Sequence, residues 1–269
     1  MKNMKIEFTK MEGLGNDYIY VDAVRFPIAD PAAVSIKLSD RHFGIGGDGL
    51  VLIGPSRIAD FSMRMYNADG SEGLMCGNAA RCIGKLVYEK GLTDKKTIEL
   101  ETASGVRTLQ VHTGSDGLVE SVTVGMGSYS IDQEECAVVA DGVEFIGTRV
   151  NVGNPHFVIF VPDADAVELQ RFGPVIEHSF PGGVNVEFAT VKADSHIRMR
   201  VWERGSGPTL ACGTGACATS AAAVSKRLCQ SPCTIDMDGG SLQVSCDVPS
   251  RSILMRGPAR IVFEGQVEV

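Results

Sequence analysis

The sequence predicts an α+β protein of two pseudo-symmetric domains, each a curved, mostly antiparallel sheet around a central helix. Three observations lead there. Sliding the chain by 136 residues lays "MRMYNADGSEGLMCGNAA" (63–80) on "MRVWERGSGPTLACGTGA" (199–216), so the chain is a duplication. In both copies an alternating apolar strand runs into a polar, glycine-rich loop, then a Cys-Gly pair, then a helical pattern. Finally, 269 residues suffice for two medium domains with their own cores.

The elements follow in the same order in each half. Gly15-Asn16 precedes "DYIYV" as Gly153-Asn154 precedes "PHFVIF", a turn feeding a strand. Phe61, Met63 and Met65 share one strand face, as do Ile197, Met199 and Val201. In the first helix Ala79, Ile83, Leu86 and Val87 share a face, and Gly91 is its stop. The second helix, Gly213 to about Leu228, is small and apolar nearly all round, the mark of a buried helix, with Lys226 and Arg227 suiting its C-terminal end. Downstream, "TIELETASGVRTLQV" resembles "TIDMDGGSLQV". The expected domains are 1–125 and 126–258, with the left-over strand 259–269 returning to the first.

Composition limits the function. A net charge of −8 argues against a nucleic-acid or anionic-membrane surface. No run is apolar enough to span a bilayer, and "MKNMKIEFTKMEG" lacks a signal-peptide core, so the expected location is cytoplasmic. Eight cysteines then read as reduced thiols. No metal site is expected, because the chain has no CxxC pair and Cys229-x3-Cys233 has no second ligand pair. Gly44-x-Gly46-x-x-Gly49 leads into the strand-like "LVLIG" rather than the helix a dinucleotide fingerprint requires.

Cys76 and Cys212 each stand where loop becomes helix. First-turn backbone N–H groups have no intrahelical partner, and with the helix dipole they hold an anion such as a carboxylate. The same field favours thiolate over thiol. If the domains face each other, two thiols address one small anionic ligand from opposite sides. Inverting a Cα centre needs that pairing, a base on one face and an acid on the other. A helix start holding the carboxylate stabilises the enolate-like transition state. The remaining cysteines (Cys82, Cys136, Cys217, Cys229, Cys233 and Cys246) read as packing.

"GLGNDY", "RHFGIGGDG", "NADGSEGLMCGNAARC", "GNPH", "NVEF" and "ERGSGPTLACGTGACA" together resemble the diaminopimelate epimerase family. The resemblance implies a cofactor-independent epimerase that interconverts LL- and meso-diaminopimelate for lysine and peptidoglycan synthesis. By motif, Cys76 and Cys212 resemble the two acid/base thiols. Gly77 with Asn78, and Gly213 with Thr214, resemble the carboxylate-holding helix starts. Asn16, Asn67, Asn154, Asn185, Glu203 and Arg204 resemble the set that grips the substrate, with His156 supporting the reaction centre. Glu203 suits the distal ammonium and Arg204 the distal carboxylate. Ala79 stands where the family often has Gly, and Gly49 where some members have Gln. The implied partner is a small amino acid, and a homodimer is compatible with the family. The alternatives are a racemase of the same fold acting on another amino acid, a non-catalytic amino-acid-binding module, and a thiol redox protein.

Overall fold

The computed structural model describes residues 4–192 and 195–269, so the first residues of the expected N-terminal domain lie outside it. Two compact units emerge: one runs to Val124 and takes in Gly257–Val269, and the other is Gly125–Arg256.

In the first unit β1 (Lys5–Gly13) pairs antiparallel with β2 (Asn16–Asp22), across a turn in which Leu14 and Gly15 have φ of 61° and 84°. Helix α1 (Pro31–Ser39) then carries the chain to β3 (Gly49–Gly54), which lies parallel to β2. β4 (Phe61–Asn67) pairs antiparallel with β3 and with the short β5 (Glu72–Gly73). Helix α2 (Gly77–Glu89) leads to β6 (Thr97–Thr102), which is parallel to β4. β7 (Gly105–Thr113) and β8 (Val119–Ser128) continue antiparallel.

The second unit repeats this order. β9 (Ser130–Ala140), β10 (Val143–Asn151) and β11 (Pro155–Phe160) are antiparallel neighbours. Helix α3 (Leu169–His178) leads to β12 (Asn185–Val191), parallel to β11. β13 (His196–Glu203) pairs antiparallel with β12 and with β14 (Gly207–Thr209). Helix α4 (Gly213–Ser225) leads to β15 (Cys233–Met237), parallel to β13, and then to the antiparallel β16 (Gly240–Asp247) and β17 (Ser252–Gly257). The last strand, β18 (Arg260–Glu268), lies antiparallel to β1. It thus holds in the first unit the place that β9 holds beside β10 in the second.

The sheets are mostly antiparallel, as the sequence implies, and the central helices are buried. Ala216, Ala218, Ala221, Ala222 and Ala223 of α4 are all fully buried, and the helix touches strands from β9 to β16. In α2 the expected face, Ala79, Ile83, Leu86 and Val87, is buried. Gly91, at φ 67°, follows its close, where Lys90 N–H reaches the Leu86 carbonyl (2.9 Å) and Leu92 N–H the Val87 carbonyl (2.9 Å).

Two expectations need correction. Each unit carries a second helix, α1 or α3, beside the one central helix that the sequence reading gives each half. Parallel neighbours cannot be joined by a tight hairpin; they need a crossover, and a helix provides it. For α1 the local signals are Pro31 in the first turn and Asp30, whose side chain accepts from Ala33 N–H (3.1 Å). Helix α4 also stops at Ser225, short of Leu228. Arg227 takes φ 58°, and Leu228 N–H reaches back to the Ala223 carbonyl (2.9 Å), closing the helix without glycine. Gly49 admits no side chain, since a Cβ there would lie 2.0 Å from the Tyr66 carbonyl oxygen.

Removing Arg260–Val269 should therefore destabilise the first unit. It strips the partner strand from β1, together with the Lys90–Glu264 ion pair. A loss of about 3 kcal/mol corresponds to a melting point at least ~6 °C lower in a chain of this size. Thermal unfolding followed by circular dichroism checks it; an unchanged melting point would show β18 to be dispensable.

Candidate active site

Both cysteines occupy the N-cap of their helix in extended backbone, Cys76 at φ −132°, ψ 120° and Cys212 at φ −127°, ψ 111°. The extended residue ends the loop after β5 or β14, and the next residue, Gly77 or Gly213, opens the helix. Asn78 and Thr214 are therefore second-position residues, whose N–H groups lie among those a helix leaves unpaired.

In the first unit the thiol of Cys76 points to Asn16 Oδ1 at 3.4 Å, and Asn78 Nδ2 donates to the same oxygen at 3.4 Å. Asn16 turns its Nδ2 onto Asp48 Oδ2 (2.7 Å), which also accepts from Asp17 N–H (3.0 Å). Arg41 ties Asp48 (3.1 Å) to Asp17 (2.8 Å). Its guanidinium hydrogen bonds hold the Asp17 carboxyl below its ordinary range against partial burial, with buried Lys10 helping at 2.6 Å. Asn67 lies at the end of β4 opposite Gly49 and donates to Ser71 Oγ (2.9 Å).

In the second unit Gly215 N–H donates to Cys212 Sγ (3.3 Å), so the sulfur caps its own helix, and Thr214 Oγ1 lies 3.5 Å from that sulfur. Asn154 Nδ2 donates to Thr214 Oγ1 (3.4 Å), and its Oδ1 meets His156 Nε2 (3.0 Å). His156 Nδ1 contacts Glu187 Oε1 at 2.6 Å, both side chains being wholly buried. Asn185 is engaged with the backbone, accepting from Arg204 N–H (3.0 Å) and donating to the Pro155 carbonyl (3.0 Å). Half-buried Glu203 accepts from Thr209 Oγ1 (2.5 Å), while exposed Arg204 donates to the Gly182 carbonyl (3.1 Å).

The predicted residues thus gather into local groups. Asn16, Cys76 and Asn78 are linked in one unit; Asn154, His156, Cys212 and Thr214 are linked in the other, with Asn185 beside Arg204. Asp48 and Glu187 are the residues that motif reading passed over. Glu187 had a signal: a carboxylate inside the apolar run "NVEF" of an interior strand must find a buried partner.

The expected thiolate preference does not hold at Cys212. Burial pushes this thiol well above the ordinary cysteine range, and the charge of Glu203 pushes it further. Hydrogen bonds from Thr214 and Gly215 pull the other way but do not win. The helix start acts over one turn, whereas desolvation acts on the whole sulfur. Burial likewise raises Cys82, to about 12, and Cys246, to about 11, in keeping with inert packing thiols. Cys233 differs: a hydrogen bond from Cys229 pulls its thiol below the ordinary cysteine range.

Comparison with known proteins gives this geometry its setting. The family model described as diaminopimelate epimerase matches residues 8–132 and 148–262. Diaminopimelate epimerase of Bacteroides thetaiotaomicron is 54% identical over 266 residues, covering 98% of each chain. That of Phocaeicola vulgatus is 52% identical over 277 residues, covering 98% of this chain and 99% of its own. Among solved structures, a phenazine biosynthesis protein of the PhzF family from Bacillus anthracis superposes with a TM-score of 0.76 at 17% identity, over 99% of this chain and 100% of its own, and so shares the fold. With a family match spanning most of its length and relatives above half identity, the chain belongs to the diaminopimelate epimerase family.

Proposed function

We propose that the protein interconverts LL- and meso-diaminopimelate by two-base proton transfer, Cys76 and Cys212 serving in turn as base and acid. The observation that carries this is the duplicated helix-start cysteine, joined to an asparagine of the preceding turn directly at Cys76 (Asn16) and through the Thr214 hydroxyl at Cys212 (Asn154). One thiolate removes the α-proton; the other thiol returns a proton to the opposite face, and the roles exchange in reverse. N–H groups of Gly77, Asn78, Gly213 and Thr214 hold the reacting carboxylate as it gains enolate character. Thiols do this without a cofactor. Glu203 and Arg204 take the distal ammonium and carboxylate, which requires Arg204 to exchange the Gly182 carbonyl for substrate.

We further propose a cytoplasmic enzyme of amino-acid synthesis with no nucleic-acid partner, in keeping with the charge of −8. No helix among the described residues is long and apolar enough to cross a membrane. We also read it as a homodimer; Val262 and Phe263, 55% and 45% exposed on β18, offer apolar surface to a second copy.

Cys76→Ala and Cys212→Ala should each abolish epimerisation while leaving the fold intact, measured as loss of optical change with LL-diaminopimelate alongside circular dichroism. Near-normal turnover in either variant would sink the two-thiol reading.

Arg204→Met should lower kcat/KM for diaminopimelate at least ~10-fold, because a charge-assisted contact is worth about 1.5–3 kcal/mol. Wild type should handle lysine poorly, for want of a second carboxylate. Equal rates on both substrates, or an unaffected Arg204→Met, would refute the substrate.

The raised Cys212 thiol sets a pH dependence. Its thiolate appears only above the ordinary cysteine range, so alkylation of Cys212 in a Cys76→Ala background should rise steeply on the alkaline side. A nearby carboxylate disfavours thiolate, so Glu203→Gln should move that limb to lower pH. Iodoacetamide rates between pH 7 and 11 would show it; a limb moving upward, or not at all, contradicts this electrostatic account.

A further inference from the structure

The Glu187–His156 pair is a cost the fold does not require. Both side chains are wholly buried, and Glu187 Oε2 finds no hydrogen-bond partner among the described residues. The repeat supplies the control. Register equates Glu187 with Val51 and His156 with Tyr18, for Tyr18 pairs with Gly49 as His156 pairs with Asn185. The first unit therefore builds the same parallel strand pair without a buried carboxyl. Gly215 makes room for Glu187: a Cβ there would lie 2.8 Å from Glu187 Oε1 and 3.3 Å from Cys212 Sγ. In the first unit the matching position is Ala79.

The chemistry of the pair fixes a hydrogen-bond direction. Burial disfavours an uncompensated charge, so the pair carries no net charge: a carboxylic acid with neutral imidazole, or a carboxylate with imidazolium. In both cases Nε2 bears a proton. It donates to Asn154 Oδ1 at 3.0 Å, which turns the amide nitrogen onto Thr214 Oγ1 at 3.4 Å. The Thr214 hydroxyl, with the Asn154 amide nitrogen on one lone pair, keeps its own proton free to donate to Cys212 Sγ, 3.5 Å away, whenever that sulfur is a thiolate. The first unit shows the opposite sense. Asp48, accepting from the Asn16 amide nitrogen, leaves the amide oxygen for Cys76.

We propose that Glu187 is a positioning residue, which through His156 holds the Asn154 amide with its nitrogen toward Thr214 and Cys212. The proposal rests on the reading of Cys212 as a proton-transferring thiol. Two donors, Thr214 O–H and Gly215 N–H, then converge on the sulfur and stabilise its thiolate whenever it has given up its proton. The titratable groups facing Glu187 are His156, Glu203 and Cys212.

The test has a substrate-free arm and a kinetic arm. With 15N-histidine labelling and His156→Asn for assignment, wild type should show His156 protonated at Nε2 throughout pH 6–9. A neutral ring protonated at Nδ1 alone would overturn the proposal. Glu187→Leu should lower kcat about 10- to 100-fold, the scale of a small misplacement, with KM changed less than about 3-fold. Glu187→Gln, able to donate N–H to Nδ1, should restore kcat to within about 5-fold of wild type. Wild-type kcat in Glu187→Leu, or equal losses in both variants, would overturn it. Should Glu187→Leu fail to fold, Glu187→Gln still decides: an Nδ1-protonated ring with full kcat contradicts the proposal, and an Nε2-protonated ring with full kcat supports it. Because the tautomer is read without substrate, a wild type inactive on diaminopimelate counts against the proposed function alone.

Discussion

A thiol at the point where extended chain becomes helix is the constraint on which this architecture turns. Cys76 and Cys212 have backbone angles within 10° of each other, although only short stretches of the two copies match in sequence. The position is demanding. The helix must start immediately after the cysteine, so each helix opens on glycine, which lets a ligand approach the first-turn N–H groups. The helix must also be held rigidly, which the buried alanines of α4 and the apolar face of α2 provide. Strands cover those helices: α2 packs on β1 and β7, and α4 on strands from β9 to β16.

The two copies have diverged in electrostatics while keeping this geometry. Around Cys76 the neighbouring asparagine answers to Asp48, itself tied to Arg41 on the surface. Around Cys212 it answers to a buried histidine and glutamate. Burial dominates at Cys212, and the Glu203 carboxylate deepens the penalty on its thiolate. A resting thiol there is compatible with epimerisation, because one cysteine must enter each turnover carrying its proton. A cation brought to Glu203 would offset the charge that now opposes thiolate formation.

Much of the site was legible because duplication repeats it. Periodicity found β4, β13 and the buried face of α2, and the repeated Cys-Gly located both helix starts. What escaped has physical reasons. Helix α1 has too weak an amphipathic pattern to stand out, so its cause is topological: β2 and β3 are parallel and must be bridged. The end of α4 depends on Arg227 entering left-handed space, which no residue preference foretells. Helix-start reasoning expected a lowered thiol at Cys212 because the sequence does not display burial. Asp48 and Glu187 lie one contact behind the residues a motif highlights, and their roles appear only when hydrogen-bond donors and acceptors are traced.

Proton transfer by two different thiols is tested most directly by the hydrogen isotope at the inverted carbon. LL-diaminopimelate supplied in D2O should yield meso product fully deuterated at that carbon from the first turnovers, while recovered LL substrate stays protiated. The returning thiol has already exchanged with solvent, whereas the abstracting thiolate holds the substrate's own proton. Product retaining protium, or deuterium entering recovered substrate as fast as product forms, would mean a single base serves both faces and would contradict the account.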